Sequence, residues 1–103
     1  MKSFGDFQKM LKSAKDMQER IQKELAELRL EGSSGGGMVA VTMDGQKNLI
    51  SLKLDPEVVN KDDIDMLQDL ITAAFNDAAG KVDAHLSQKL GSLGAGLKIP
   101  GLF

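Results

Sequence analysis

The sequence predicts an α+β fold in which a long N-terminal helix leads into a small antiparallel β-sheet of two to three strands, and a long C-terminal helix follows. Three observations carry that prediction. Apolar residues recur in steps of three and four as far as Leu28, alternate singly after a glycine-rich break at residues 32–37, and return to steps of three and four beyond Pro56. At 103 residues the chain has material for one domain, residues 1–103, and hardly for two.

The first helix is read from Phe4, Phe7, Leu11, Ala14, Ile21, Leu25 and Leu28, with Gln18 as the polar exception in the stripe. It contains no Pro and no Gly after Gly5. About 25 residues rising ~1.5 Å each make a rod of roughly 37 Å, longer than a small globule needs. That length favours an extended arm or an oligomer seam over a stripe buried in its own domain.

After Gly32-Ser33-Ser34-Gly35-Gly36-Gly37, Val39, Val41 and Met43 alternate with smaller or polar residues, and so do Ile50, Leu52 and Leu54. Between them Asp44-Gly45 is the signature of a two-residue hairpin turn whose central residues both need positive φ. Residues 28–33 are a candidate third strand. A lone hairpin is marginally stable in water, so its apolar face calls for helices or a second copy of itself. Asp55-Pro56 closes the second strand and opens a short helical turn through Val59. The C-terminal helix starts near Asp62 or Asp63 and carries Ile64, Leu67, Ile71, Ala74, Phe75, Ala78, Val82 and Leu86 on one stripe. Gly80 within it marks a bend or a close contact. The helix is expected to end near Gly91, leaving a glycine-rich tail of about residues 91–103 without regular structure.

Composition removes most chemistries. There is no Cys and a single His, so thiolate metal sites, disulfides and thiol nucleophiles are excluded, and no histidine cluster can form. The glycines at 32–37 lack the Lys-Ser/Thr ending and following helix of a phosphate loop, and read instead as a flexible or bulged link. Asp62, Asp63 and Asp65 sit where a helix start presents free N–H groups and read as caps rather than metal ligands. His85 reads as an exposed helix residue. No enzyme, no cofactor and no metal are expected. Without a long apolar run or a signal-like start, a cytoplasmic location is expected and a membrane span is not.

Charge is what remains to be explained. The net charge is −2, yet residues 1–15 hold four Lys against Asp6, residues 81–103 three Lys against Asp83, and residues 16–80 six basic against thirteen acidic residues. Both ends are positive and the middle is acidic. One outward face of the first helix gathers Lys2, Lys9, Lys15, Lys23 and Arg29 against Asp16 alone, and Lys81, His85 and Lys89 form a row on the second. Antiparallel helices leaving a central hairpin would bring residues 1–15 and 81–90 together at the far end, a basic tip for phosphates.

The whole chain resembles the YbaB/EbfC family of bacterial nucleoid-associated proteins. The residues that carry the resemblance are Met10, Met17, Gln18, Gln22 and Leu25 in the opening helix, the link from Gly32 to Val39, the Asp44-Gly45 turn and Leu54-Asp55-Pro56. Asp69-Leu70-Ile71, Ala73-Ala74, Asn76-Asp77-Ala78, and the tail residues Leu97, Pro100, Gly101, Leu102 and Phe103 continue it. The resemblance implies a homodimer with a central sheet built from both chains and projecting helical arms. It implies binding to double-stranded DNA, association with the nucleoid, and a part in nucleoid organisation or gene expression. On it, the DNA-binding candidates are Lys9, Lys12, Lys15, Lys81 and Lys89. Lacking a recognition-helix signature and aromatic stacking residues, such an interface would contact phosphates more than bases. Two other readings compete: a protein-interaction adaptor using the coiled-coil stripe and apolar tail, and, more weakly, a membrane-surface helix.

Overall fold

The computed structural model describes the backbone of residues 3–97 and the side chains of residues 3–91. Helix α1 spans Ser3–Glu27. From Ser3 through Glu24 every residue is exposed, and only Leu25 and Leu28 tuck partly under cover. The helix is held at its last turn. The Arg29 guanidinium donates to the carbonyls of Ala26 (2.7 Å) and Leu28 (2.9 Å), and the Gly45 N–H donates to the Leu25 carbonyl at 2.7 Å. Carbonyls that a helix end leaves without partners are thereby satisfied by the residue that follows and by the sheet.

Three strands follow: β1 (Leu30–Ser34), β2 (Val39–Met43) and β3 (Leu49–Leu54), all antiparallel in the order β1-β2-β3. The candidate third strand is therefore real, displaced slightly from residues 28–33. Gly35–Gly37 form a 3-10 turn with φ of 60, 67 and 94°, a left-handed run suited to glycine, so the link is a tight turn. The hairpin between β2 and β3 departs from the expected two-residue turn. Positive φ falls on Lys47 (64°), not on Gly45. Asp44 instead organises a longer loop, its carboxylate accepting from the N–H groups of Gln46 (2.8 Å) and Asn48 (2.9 Å) and from the Asn48 side-chain amide (3.0 Å). Gly45 is required for closeness: a Cβ there would stand 2.9 Å from both Cα and O of Leu25.

Pro56–Val58 make a 3-10 turn whose cap is the Asp55 side chain, accepting from the Glu57 N–H at 2.9 Å. Asp63 caps the next helix by accepting from the Met66 N–H at 3.2 Å. Helix α2 then runs Ile64–Leu97 without interruption. It passes through Gly80, where an added Cβ would meet nothing within 4 Å, so that glycine marks no close contact. It also passes the expected end at Gly91. Residues 98–103, the rest of the tail expected to be irregular, lie outside the described residues.

The core is thin and one-sided. Val39, Val41 and Met43 point from β2 onto Ala74, Ala78 and Val82 of α2, with Val58 closing one end. Small residues let helix and sheet approach closely: a Cβ on Gly32 would collide with the backbone N of Ala78 and stand 2.5 Å from the Ala74 carbonyl oxygen. α2 lies across β1 and β2. The cross-strand partners of Val39 and Val41 on β3, Leu54 and Leu52, face the same way. They nevertheless remain 36% and 41% exposed. The molecule is elongated, 74 × 24 × 16 Å with a radius of gyration of 20.0 Å, against about 13 Å for a compact chain of this size.

Candidate nucleic-acid interface

The arm is built where α1 leaves the sheet. Its inner half meets the C-terminal third of α2, with the Lys89 ammonium 3.0 Å from the Glu24 carboxylate. The two helices enclose an apolar groove of about 440 Å³, floored by Met17, Ile21, Leu25, Leu28, Leu86 and Leu90 and rimmed by Arg20, His85 and Lys89. His85 is thus half-buried on the groove wall rather than a plain exposed residue.

The sequence-predicted lysines fall into two groups. Lys9, Lys12 and Lys15 lie exposed on the outer half of α1, and none has a salt bridge among the described residues. Successive steps of three carry them along one side of the helix. Lys81 and Lys89 are committed elsewhere: Lys81 donates to the Glu31 carbonyl at 2.8 Å and lies 3.4 Å from Asp77, while Lys89 holds Glu24. From the Glu24–Lys89 contact, Lys9 lies fifteen residues out, roughly 22 Å, and Lys81 eight residues back toward the sheet, roughly 12 Å. The expected convergence of residues 1–15 with 81–90 is therefore corrected. The second helix meets residues 17–28 instead, because the anchoring of Leu25 on Gly45 sets the register of the two helices.

The lower part of α2 serves the sheet. Asp77 accepts from the Ser33 N–H at 3.0 Å, which holds its carboxyl below the ordinary carboxylate value against a desolvation that pushes it up, and Lys81 adds to the lowering. Asp44 is likewise held low, chiefly by the Asn48 side chain and then by the Asn48 backbone N–H. Arg20, on the groove rim, escaped the sequence reading because it neighbours the apolar stripe at Ile21 and looks like a solvated helix charge. Among the described residues no group of three or more acidic or His side chains could hold a metal ion, and no helix is long and apolar enough to cross a membrane.

Comparison with known proteins gives three findings. Residues 2–97 match the family model of the YbaB/EbfC DNA-binding family. A nucleoid-associated protein of Koribacter versatilis is 45% identical over 92 residues, covering 89% of this chain and 91% of the relative, and one of Dictyoglomus thermophilum is 42% identical over the full length of both. In fold, the crystal structure of an uncharacterized protein from Helicobacter pylori superposes with a TM-score of 0.73 over 87% of this chain and 95% of that one, at 22% identity.

Proposed function

Because this chain belongs to the YbaB/EbfC DNA-binding family, we propose that it acts as a homodimer that binds duplex DNA through the outer ends of its α1 arms, in the cytoplasm and on the nucleoid, organising the DNA and influencing expression of nearby genes. The observation that carries this reading is the contrast among its lysines. Lys47, Lys81 and Lys89 hold carboxylates of their own chain, while Lys9, Lys12 and Lys15, in a row at the end of a rod, pair with no carboxylate among the described residues. A free row of ammonium groups exchanges condensed counterions for phosphates, and the acidic start of α2 lies at the opposite end of the molecule, out of the way. Lys89 joins them by exchanging Glu24 for a phosphate, and Lys81 contributes through its charge.

β3 supports the dimer. Its outer edge carries Leu49, Ile50, Leu52 and Leu54, all exposed, and a single lysine, Lys53. A flat apolar edge of that kind is a template for another strand. Pairing two copies there would make a continuous sheet and supply the cover that α2 does not reach far enough to give.

The test is fluorescence anisotropy of a labelled duplex at ~50 and ~200 mM salt, with the mass in solution measured alongside. The dimer should bind with an affinity that falls steeply with salt. Lys9→Glu together with Lys15→Glu should weaken binding at least tenfold and lower the salt slope by roughly 2, one per lost phosphate contact, with the dimer and its helicity unchanged. Binding that survives both changes would remove the arm ends from the mechanism.

A further inference from the structure

The groove between α1 and α2 presents apolar side chains from both helices, with Ile21 45% and Leu90 58% exposed across it. Nearer the sheet its floor is made of Leu25, Leu28 and Leu86, which are half-buried. We propose that this groove binds a medium-chain fatty acid, the hydrocarbon chain lying along the floor and the carboxylate held at Arg20.

The dimensions select a single hydrocarbon chain. On α1 the lining runs from Leu28 out to Met17, a rise of about 17 Å. Spread over ~17 Å, a volume of about 440 Å³ leaves a mean cross-section of roughly 26 Å². That is room for one extended chain, whereas a helix about 10 Å across occupies roughly 80 Å². The Glu24–Lys89 ion pair at 3.0 Å ties the two walls together, so a partner's helix does not sink between them.

Charge fixes the head and its place. Arg20, His85 and Lys89 line the groove with one acid, Glu24, which Lys89 holds. Arg20 makes no salt bridge among the described residues, although Asp16 and Glu24 flank it at helical spacing. It stands one turn, about 6 Å, outward of the Glu24–Lys89 pair, and its planar fork offers a carboxylate two parallel N–H bonds. His85, one turn nearer the sheet than Lys89, lies toward the opposite end and takes no part in holding the head. From Arg20 the floor runs inward past Ile21 and Leu25 to Leu28, about 12 Å. An extended chain advances roughly 1.25 Å per carbon, so about ten carbons fill that distance.

The test uses the full chain with its Ile, Leu and Met methyl groups isotopically labelled, titrated with hexanoate, octanoate, decanoate and dodecanoate below their micelle concentrations. Methyl signals of Ile21, Leu25, Leu28, Leu86 and Leu90 should shift, and those of Met10 and Leu11 on the outer half of α1 should not. Affinity should rise about twofold to fourfold per methylene as far as decanoate and then level off, with half-saturation by decanoate near ~1 mM. Decyltrimethylammonium, the same chain with a cationic head, should bind at least about tenfold more weakly, and Arg20→Gln should weaken decanoate about tenfold with helicity unchanged. Groove signals that stay put at ~5 mM decanoate, equal shifts at Met10 and Leu11, equal binding of the cationic amphiphile, or decanoate binding unmoved by Arg20→Gln each overturn the proposal. So do shifts of the same groove signals on concentrating the ligand-free protein, which would give the groove to a second copy. None of these readouts involves DNA, so failure here and failure of the arm-end reading are told apart.

Discussion

The two edges of this three-stranded sheet receive opposite treatment. Along β1 the outward-facing groups are occupied by α2: Asp77 takes the Ser33 N–H, Lys81 takes the Glu31 carbonyl, and the Ser34 hydroxyl donates to the Leu70 carbonyl at 2.5 Å. Along β3 no group among the described residues does this, and four large apolar residues accompany the open backbone. An edge strand is a hazard when left bare, and proteins spend charge or cover to blunt it. Here the cover goes to one side only. A sheet that can grow in one direction closes into a two-fold pair, whereas two open edges would propagate into a fibre.

The largest effect is expected at the open edge. In the proposed β3-paired dimer, Leu52→Asp would put an unpaired carboxylate from each copy into the joint, at roughly 2 kcal/mol or more apiece, and should weaken the dimer by about a thousandfold; sedimentation across a dilution series reads it. An unchanged dimer would place the joint elsewhere. At the sealed edge, Gly32→Ala drives a Cβ into the backbone of Ala74 and Ala78. Overpacking against main chain should cost about 3 kcal/mol, at the upper end of such substitutions, measurable as a shift in the denaturant midpoint. The smallest effect concerns the seal itself. Asp77 is held below its unfolded value of 3.8, so the unfolded chain binds the proton first and the stabilisation is complete above that value and lost as the pH falls through the lower, folded one. Asp44 acts in the same direction. Thermal melts between pH 5 and 2 should therefore show a decline below about pH 4 that Asp77→Asn reduces, with larger assemblies appearing for that variant as the β1 edge loosens.

Much of this was legible in the residues because it is local. Alternation of Val39, Val41 and Met43 marked the core face of β2, and Asp63 marked the start of α2. What escaped was non-local. Asp44-Gly45 reads as a hairpin turn, but glycine stands there because Leu25, twenty residues earlier, packs onto its Cα; no rule of turn conformation contains that contact. The glycines at 91, 94 and 96 read as a tail, yet a long helix already formed propagates through them at about 1 kcal/mol each. The candidate lysines were visible as a charge pattern, but their division into free and engaged groups depends on helix register. That register is set by how the chain leaves the sheet.

The attachment of α1 has a mechanical consequence. The rod is fastened over its inner half, through the Leu25 carbonyl on the Gly45 N–H, the partly covered Leu25 and Leu28, and the Glu24–Lys89 ion pair, which makes its outer half a lever. A rotation of about 5° near Met17 carries Ser3 sideways by roughly 2 Å over a length of ~21 Å. Compliance is thus concentrated at the joint while the shaft stays stiff. In the proposed dimer, the span between two such levers would adjust by several ångströms without breaking a hydrogen bond along either helix, so the grip would follow a surface whose width varies along its length.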